Sequence, residues 1–173
     1  MTENAEQLYK RAKSEMKKEQ WLAAIKLLKL GSAVAEENWR FPSNLGLCYF
    51  KLDKFDMARK QMLRANRLAP ENPVCKRGLG MVYIMRKDFK RAEVALKESL
   101  AIEDSLLARA GLALAYLSQG KVAEAERVHL EGIKLKPKSG QRYVCYAAFL
   151  SDVGRKTEAQ RMEEKARKLQ SVN

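Results

Sequence analysis

Residues 45–70 read LGLCYFKLDKFDMARKQMLRANRLAP, and the fold turns on how this stretch recurs. Its landmarks are Leu45-Gly46, Tyr49, Ala58, Met62, Ala65 and Pro70. The same columns return as Leu79-Gly80, Tyr83, Ala92, Leu96 and Ser99. They return again as Leu112-Ala113, Tyr116, Ala125, His129, Gly132 and Pro137. One column holds Ala24, Ala58, Ala92, Ala125 and Ala159, at spacings of 34, 34, 33 and 34 residues by subtraction. Self-similarity at a fixed period of this length is the mark of a stacked repeat protein.

Five units on this period span about 5–38, 39–72, 73–105, 106–139 and 140–173, so the chain is expected to be one domain, 1–173. Each unit reads as two helices. Leu45, Tyr49 and their neighbours recur at three- and four-residue steps, which places them on one helical face. Asp53-Lys54 interrupts that run, and a second periodic run covers Phe55 to Leu68. Pro70 and Pro73 then stop it, because proline cannot continue a helix interior. Asp88, Gly120 and Gly154 are expected to mark the corresponding turns in later units. Gly46, Gly80, Ala113 and Ala147, with the alanine column opposite, let the paired helices approach closely. The β-like run Met81 to Met85 lies in register with helices on either side and is read as helix.

These residues resemble the tetratricopeptide repeat (TPR) family, whose 34-residue helix–turn–helix pattern runs W-x2-L-G-x2-Y, then A-x3-F, then P. The resemblance implies an all-α fold, a right-handed α-solenoid of five helix–turn–helix units. Departures occur. Pro42 and Lys76 replace the opening aromatic, and Asp104 replaces a closing proline. The late Phe column holds Leu28, Met62, Leu96, His129 and Glu163. Arg11 and Glu15 stand in the first unit where later units have Leu and Tyr. Those two residues and the charged last helix (Glu158, Arg161, Glu163, Glu164, Lys165) are the polar ends expected of terminal units that have no neighbour. The expectation is a chain that caps itself and is close to complete.

Composition narrows the function. Hydrophobic residues make up 46% of the 173, enough for a core. No apolar run approaches the ~20 residues of a membrane span, and residues 1–20 lack the apolar region of a secretory signal, so a cytoplasmic location is expected. Cys48, Cys75 and Cys145 are odd in number and widely spaced, as expected of reduced, buried thiols. The 34 Lys and Arg exceed the 21 Asp and Glu to give a net charge of +13, which favours anionic partners. His129 is the only histidine and falls in a packing column, so a nucleophile–base pair has little to work with. Gly78-Leu79-Gly80 lacks the Lys-Ser/Thr of a phosphate loop. Neither an enzyme nor a bound metal or cofactor is expected.

In proteins similar to this one, the first helix of each unit lines a concave groove that binds extended ligands. The face opposite the Leu/Gly/Tyr columns supplies the candidate residues. The first unit gives Tyr9, Lys13 and Lys17, beside Lys10 and Met16. The second gives Arg40, Asn44, Leu47, Phe50 and Lys51, beside Ser43. Arg77, Met81, Ile84 and Met85 come from the third, and Leu107, Leu114 and Leu117 from the fourth. The list begins basic and turns apolar. Its apolar members suggest a partner side chain or helix, and flexible methionine stems suit varied ligands. The competing reading is that these side chains are buried against one another.

The family's two-carboxylate clamp for acidic chaperone tails would fall on Tyr9, Lys13, Asn44, Val74 and Gly78. Only Asn44 fits, so that role is disfavoured. Lys26, Lys60, Arg127 and Arg161 share a column of the second helices and would form a convex basic stripe. The sequence therefore points to a non-catalytic adaptor or scaffold that binds a protein or peptide with acidic and apolar features. The alternative is a nucleic-acid or anionic-surface binder using the stripe. Self-association is a third reading within the scaffold class.

Overall fold

A computed structural model describes residues 3–171. Among them are ten helices in sequential pairs: α1 (Ala5–Lys17), α2 (Trp21–Val34), α3 (Arg40–Lys51), α4 (Phe55–Leu68), α5 (Pro73–Met85), α6 (Phe89–Ile102), α7 (Leu106–Leu117), α8 (Val122–Leu135), α9 (Gly140–Asp152) and α10 (Lys156–Gln170). The protein is all-α, with the helix pairs of a TPR solenoid. The helices divide between two compact units. The first runs through Glu103 and holds α1 to α6; the second begins at Asp104 and holds α7 to α10.

The two helices of each pair are joined by one turn, used five times. Glu19, Asp53, Lys87, Gly120 and Gly154 all have positive φ, between 55° and 82°. In each turn the next residue's N–H reaches back five positions, as from Lys54 to the Tyr49 carbonyl (2.9 Å) and from Lys121 to that of Tyr116 (3.0 Å). The left-handed residue's own N–H reaches back three, as from Asp53 to Phe50 (3.1 Å) and from Gly120 to Leu117 (2.9 Å). This is the Schellman closure, which satisfies carbonyls that a helix end leaves open. Two expectations shift by a residue or more. The left-handed position of the third unit is Lys87, while Asp88 caps α6 by accepting from the Arg91 N–H at 3.2 Å. Pro73 does not only stop α4. It is the first residue of α5, where its missing N–H costs nothing, and Asn72 caps that helix by accepting from Val74.

Pairing rests on the small columns. Ala24, Ala58, Ala92, Ala125 and Ala159 are 0–2% exposed. They sit among Leu8, Leu28, Phe41, Leu45, Tyr49, Met62, Leu79, Leu96, Leu112, Tyr116, Tyr143 and Tyr146, all buried. Each large member stabilises the fold by roughly 1.5–3 kcal/mol through burial. Arg11 is exposed, and α1 buries Leu8, Ala12 and Met16 instead.

Gly46 and Gly80 occupy one column but meet different neighbours. A Cβ on Gly80 would lie 2.5 Å from Leu96 Cγ, a fully buried branched side chain. A Cβ on Gly46 would lie 2.9 Å from both Cγ and Cε of Met62, an unbranched and flexible side chain. Gly80→Ala is therefore expected to destabilise by about 1–3 kcal/mol through overpacking. Gly46→Ala should cost clearly less, because the methionine yields and alanine favours the helix by up to about 1 kcal/mol. Urea unfolding midpoints of the two variants check this ordering.

Candidate functional site

In the first unit, α1, α3 and α5 carry the sequence candidates. Lys10, Lys13 and Lys17 are exposed at three- and four-residue steps along α1. They border an open recess of about 260 Å³ with Glu6, Tyr9 and Ser14. Tyr9 packs edge-on to Phe41 at 5.7 Å, and the Arg40 guanidinium lies 4.9 Å from its ring centre. The Asn44 side-chain amide donates to the Arg40 carbonyl at 2.7 Å and to the Tyr9 hydroxyl at 3.3 Å. Both amide hydrogens thus serve the fold, and the one match to a carboxylate clamp is used internally. Leu47 and Lys51 are exposed, and Phe50 leans edge-on against Phe55 at 5.8 Å. Met85 is exposed, while Met81 and Arg77 are half-buried.

Three residues placed on this face by helical spacing are buried. Ile84 is 7% exposed because it stands one turn beyond Gly80, at the edge of the packing stripe. Met16 and Ser43 belong to the core for the same reason, each being one turn from a buried residue, Ala12 and Gly46 respectively.

In the second unit, Leu107 is 62% and Leu114 46% exposed, and Leu117 is half-buried. Leu114 and Leu117 of α7 face Cys145, Ala148, Phe149 and Asp152 of α9 across a cavity of about 180 Å³. His129 of α8 closes its floor. The imidazole ring lies 5.3 Å from Phe149 and 5.9 Å from Tyr146. Burial, then the nearby Arg109 charge, push its pKa down to about 4, so it is neutral at neutral pH. Cys145 is half-buried, not fully buried as expected, and shares this cavity with His129. Burial pushes its thiol up, and it pushes Cys48 and Cys75 up to about 11. A thiol held protonated beside an imidazole held neutral lacks the thiolate that nucleophilic chemistry needs. Among the described residues there is no group of three or more His, Cys, Asp or Glu placed to hold a metal ion, and no helix is long and apolar enough to cross a membrane.

Sequence reasoning missed a charged cluster beside this cavity. Asp104 accepts from the Arg109 Nε–H at 2.6 Å and from the Arg142 Nη2 group. Burial alone would raise the Asp104 pKa, but these two guanidinium groups outweigh it and hold the carboxyl below its ordinary value. Arg109 Nη1 also donates to the Val128 carbonyl at 3.1 Å. Arg142 is 5% exposed, and its Nη1 is buried with no hydrogen-bond partner among the described residues. An orphaned buried donor of this kind costs about 1–3 kcal/mol. The signal was present: Arg142 falls in a column held in the second to fourth repeats by Phe41, Cys75 and Ala108, all buried, and in the first by exposed Gln7. A charged residue in an apolar column requires a buried partner, and Asp104, in place of a closing proline, supplies it.

The outer basic residues Lys26 and Lys60 of the first unit are exposed, as are Arg127 and Arg161 of the second. Arg127 Nε lies 3.7 Å from a Glu131 carboxylate oxygen. Val94 takes the same column in the third repeat, so the first unit's basic residues stop at two.

Residues 43–72 match the sequence profile of a family described as Tetratricopeptide repeat. No curated protein matches the chain. Among solved structures, MamA from Desulfovibrio magneticus superposes with a TM-score of 0.79 at 16% identity, covering 100% of this chain and 98% of that one. A tetratricopeptide repeat protein from Parabacteroides merdae gives 0.81 at 20% identity, over 93% of this chain and 63% of that one. A thermophilic TPR protein from Thermus thermophilus gives 0.77 at 26% identity, over 86% and 82%. These likenesses carry the fold.

His129 gives a test of the packing beneath the cavity. Its folded pKa of about 4 lies below the ordinary 6.5, so the unfolded chain takes up a proton first as pH falls. Stability from this residue is intact above 6.5 and is lost as pH falls from there toward 4. Between pH 7.5 and 5.0 the loss is about 2 kcal/mol. His129→Leu, which restores the residue found at Leu28 and Leu96, should remove that part of the pH dependence. Urea midpoints of both proteins at the two pH values measure it.

Proposed function

Because the chain is a tetratricopeptide repeat protein, folded as five helix–turn–helix units, we propose that it is a non-catalytic adaptor or scaffold of the cytoplasm. It binds a peptide or helix of a partner protein along the exposed faces of its first helices. In the second unit the receiving surface is the apolar cavity between α7 and α9. The observation that carries this reading is the exposure of Leu114 on the wall of a formed cavity whose other walls are Leu117, Ala148 and Phe149. Concave apolar sites with a few polar groups at their rim are where ligands bind. In the first unit the apolar contacts come from Leu47, Met81 and Met85. Lys10, Lys13, Lys17 and Lys51 favour an acidic flank and speed encounter.

A second reading, binding of nucleic acid or another anionic surface by Lys26, Lys60, Arg127 and Arg161, is supported by their exposure and by the net charge of +13. The Arg127–Glu131 pair weakens it, and salt-dependent oligonucleotide binding is its signature.

Peptides selected from a displayed random library on the purified chain test the first reading. Leu114→Glu and Met85→Glu change exposed positions, so circular dichroism should be unaltered. Peptide binding should fall about tenfold or more in at least one of them, the effect of losing one buried apolar contact of about 1.5 kcal/mol or more. Unchanged binding in both variants, with binding lost on reversing Lys60 and Arg127, would favour the second reading.

A further inference from the structure

The second unit holds a charged group that its fold leaves unfinished. Arg142 gives Nη2 to Asp104, but its Nη1, buried with the rest of the side chain, has no acceptor among the described residues. Nη1 hangs over Gly132, 2.7 Å from where a Cβ on that glycine would stand. Gly132 and Arg142 are both walls of a small recess of about 10 Å³, with Arg109 and His129. That is room for one oxygen-sized atom. The recess shares Ala110, His129 and Cys145 with the 180 Å³ apolar cavity, so the two lie side by side.

The local charge is also unbalanced. Three cations, Arg109, Arg142 and Lys136, gather at or near Asp104, with Lys136 Nζ 4.0 Å from its carboxylate. Two carboxylates face them, Asp104 and Glu131, the latter 3.5 Å from Arg109 and also shared with Arg127 at 3.7 Å. With Arg127 counted, four positive groups stand against two negative ones, an excess of positive charge beside a donor that lacks an acceptor.

The other end of the cavity has the opposite sign. Asp152, exposed at the last turn of α9, lines it there. Arg142 and Asp152 are ten residues apart on one helix, about 15 Å at 1.5 Å per residue. The surface between them is apolar: Leu114, Leu117, Ala148 and Phe149.

From this placement we propose that the second unit is a polarised peptide site for an acidic side chain followed by an aliphatic one. A carboxylate oxygen of the ligand fills the recess and accepts from Arg142 Nη1. The neighbouring aliphatic side chain fills the cavity against Leu114 and Phe149. The span of about 15 Å accommodates about four or five extended residues, with the acid at the Arg142 end and no acid at the Asp152 end. This rests on the reading of the α7–α9 cavity as a ligand site and names the class of ligand it takes. Burial of the guanidinium is what gives the contact its selectivity, since a charged hydrogen bond strengthens out of water and a neutral amide oxygen accepts more weakly.

The test uses the full chain labelled with nitrogen-15 and four small probes at matched ionic strength: sodium 4-methylpentanoate, its neutral amide, sodium acetate and sodium chloride. 4-Methylpentanoate combines the carboxylate with the aliphatic group. It should shift the Arg142 Nε–H resonance and the backbone amides of Ala110, Cys145 and Ala148, saturating in the millimolar range. The amide, acetate and chloride should each bind at least tenfold more weakly. Arg142→Lys keeps a charge for Asp104 but removes the forked donor, and Leu114→Glu changes only an exposed wall. Each should weaken 4-methylpentanoate at least tenfold. If Arg142→Lys does not fold, Leu114→Glu and the four-probe comparison carry the test. An equal response to the amide would mean that the site does not select a carboxylate and would overturn the proposal. An equal response to chloride or acetate would mean a bare anion site. No response, or full binding by the folded Arg142→Lys chain, would likewise overturn the proposal. Failure here leaves peptide capture from the library standing as a separate result, and failure of the library leaves this fragment comparison readable by itself.

Discussion

The close approach of the two helices within each repeat is the contact from which the rest of the architecture follows. It requires a side chain no larger than a methyl group on the second helix, and Ala24, Ala58, Ala92, Ala125 and Ala159 meet that requirement while being almost wholly buried. With the helices that close, the connecting turn has few residues to work with. The chain solves this by placing one residue in the left-handed region and closing each first helix with the same pair of backbone hydrogen bonds. Glycine does this without strain at Gly120 and Gly154. Glu19, Asp53 and Lys87 do it at a cost of about 1–2 kcal/mol each, which the surrounding packing has to offset. One face of each first helix is committed to this pairing, and the opposite face is free to vary.

Much of the fold was legible because a repeat states its constraint five times. A single Ala58 means little, but five alanines on one period mean close packing. The extent of α4, the helical character of Met81 to Met85 and the interior place of His129 were read from periodicity and column position. The turn of the third repeat was placed one residue late at Asp88 because a good helix cap was taken for the turn itself. The left-handed residue there is Lys87, whose identity carries no turn signal. Its position in the column, five residues before the alanine, was the signal that could have found it.

The functional surface was less legible, since what varies between repeats cannot be read by comparing them. Helical spacing placed Ile84 on the free face, yet a forty-degree difference from the packing stripe is enough to bury it. Asn44 had the right chemistry for binding but spends its donors on Arg40 and Tyr9. Arg142 was not singled out because its column was not followed from repeat to repeat, although Phe41, Cys75 and Ala108 stand in it. Its buried pairing with Asp104 fits the general rule that a charge enters a core only with a partner. Of the apolar members of the expected groove face, Leu107 and Leu114 are exposed, which the sequence left open between exposure and burial.

In the proposed function the outer faces of the second helices meet solvent and the free faces of the first helices meet a partner. Hydrogen–deuterium exchange of the full chain, alone and with a library-selected peptide, tests that division most directly. Slower exchange in α7 and α9, together with unchanged exchange along α8 and α10, is the predicted pattern. Protection confined to α8 and α10, or to α2 and α4, would contradict it.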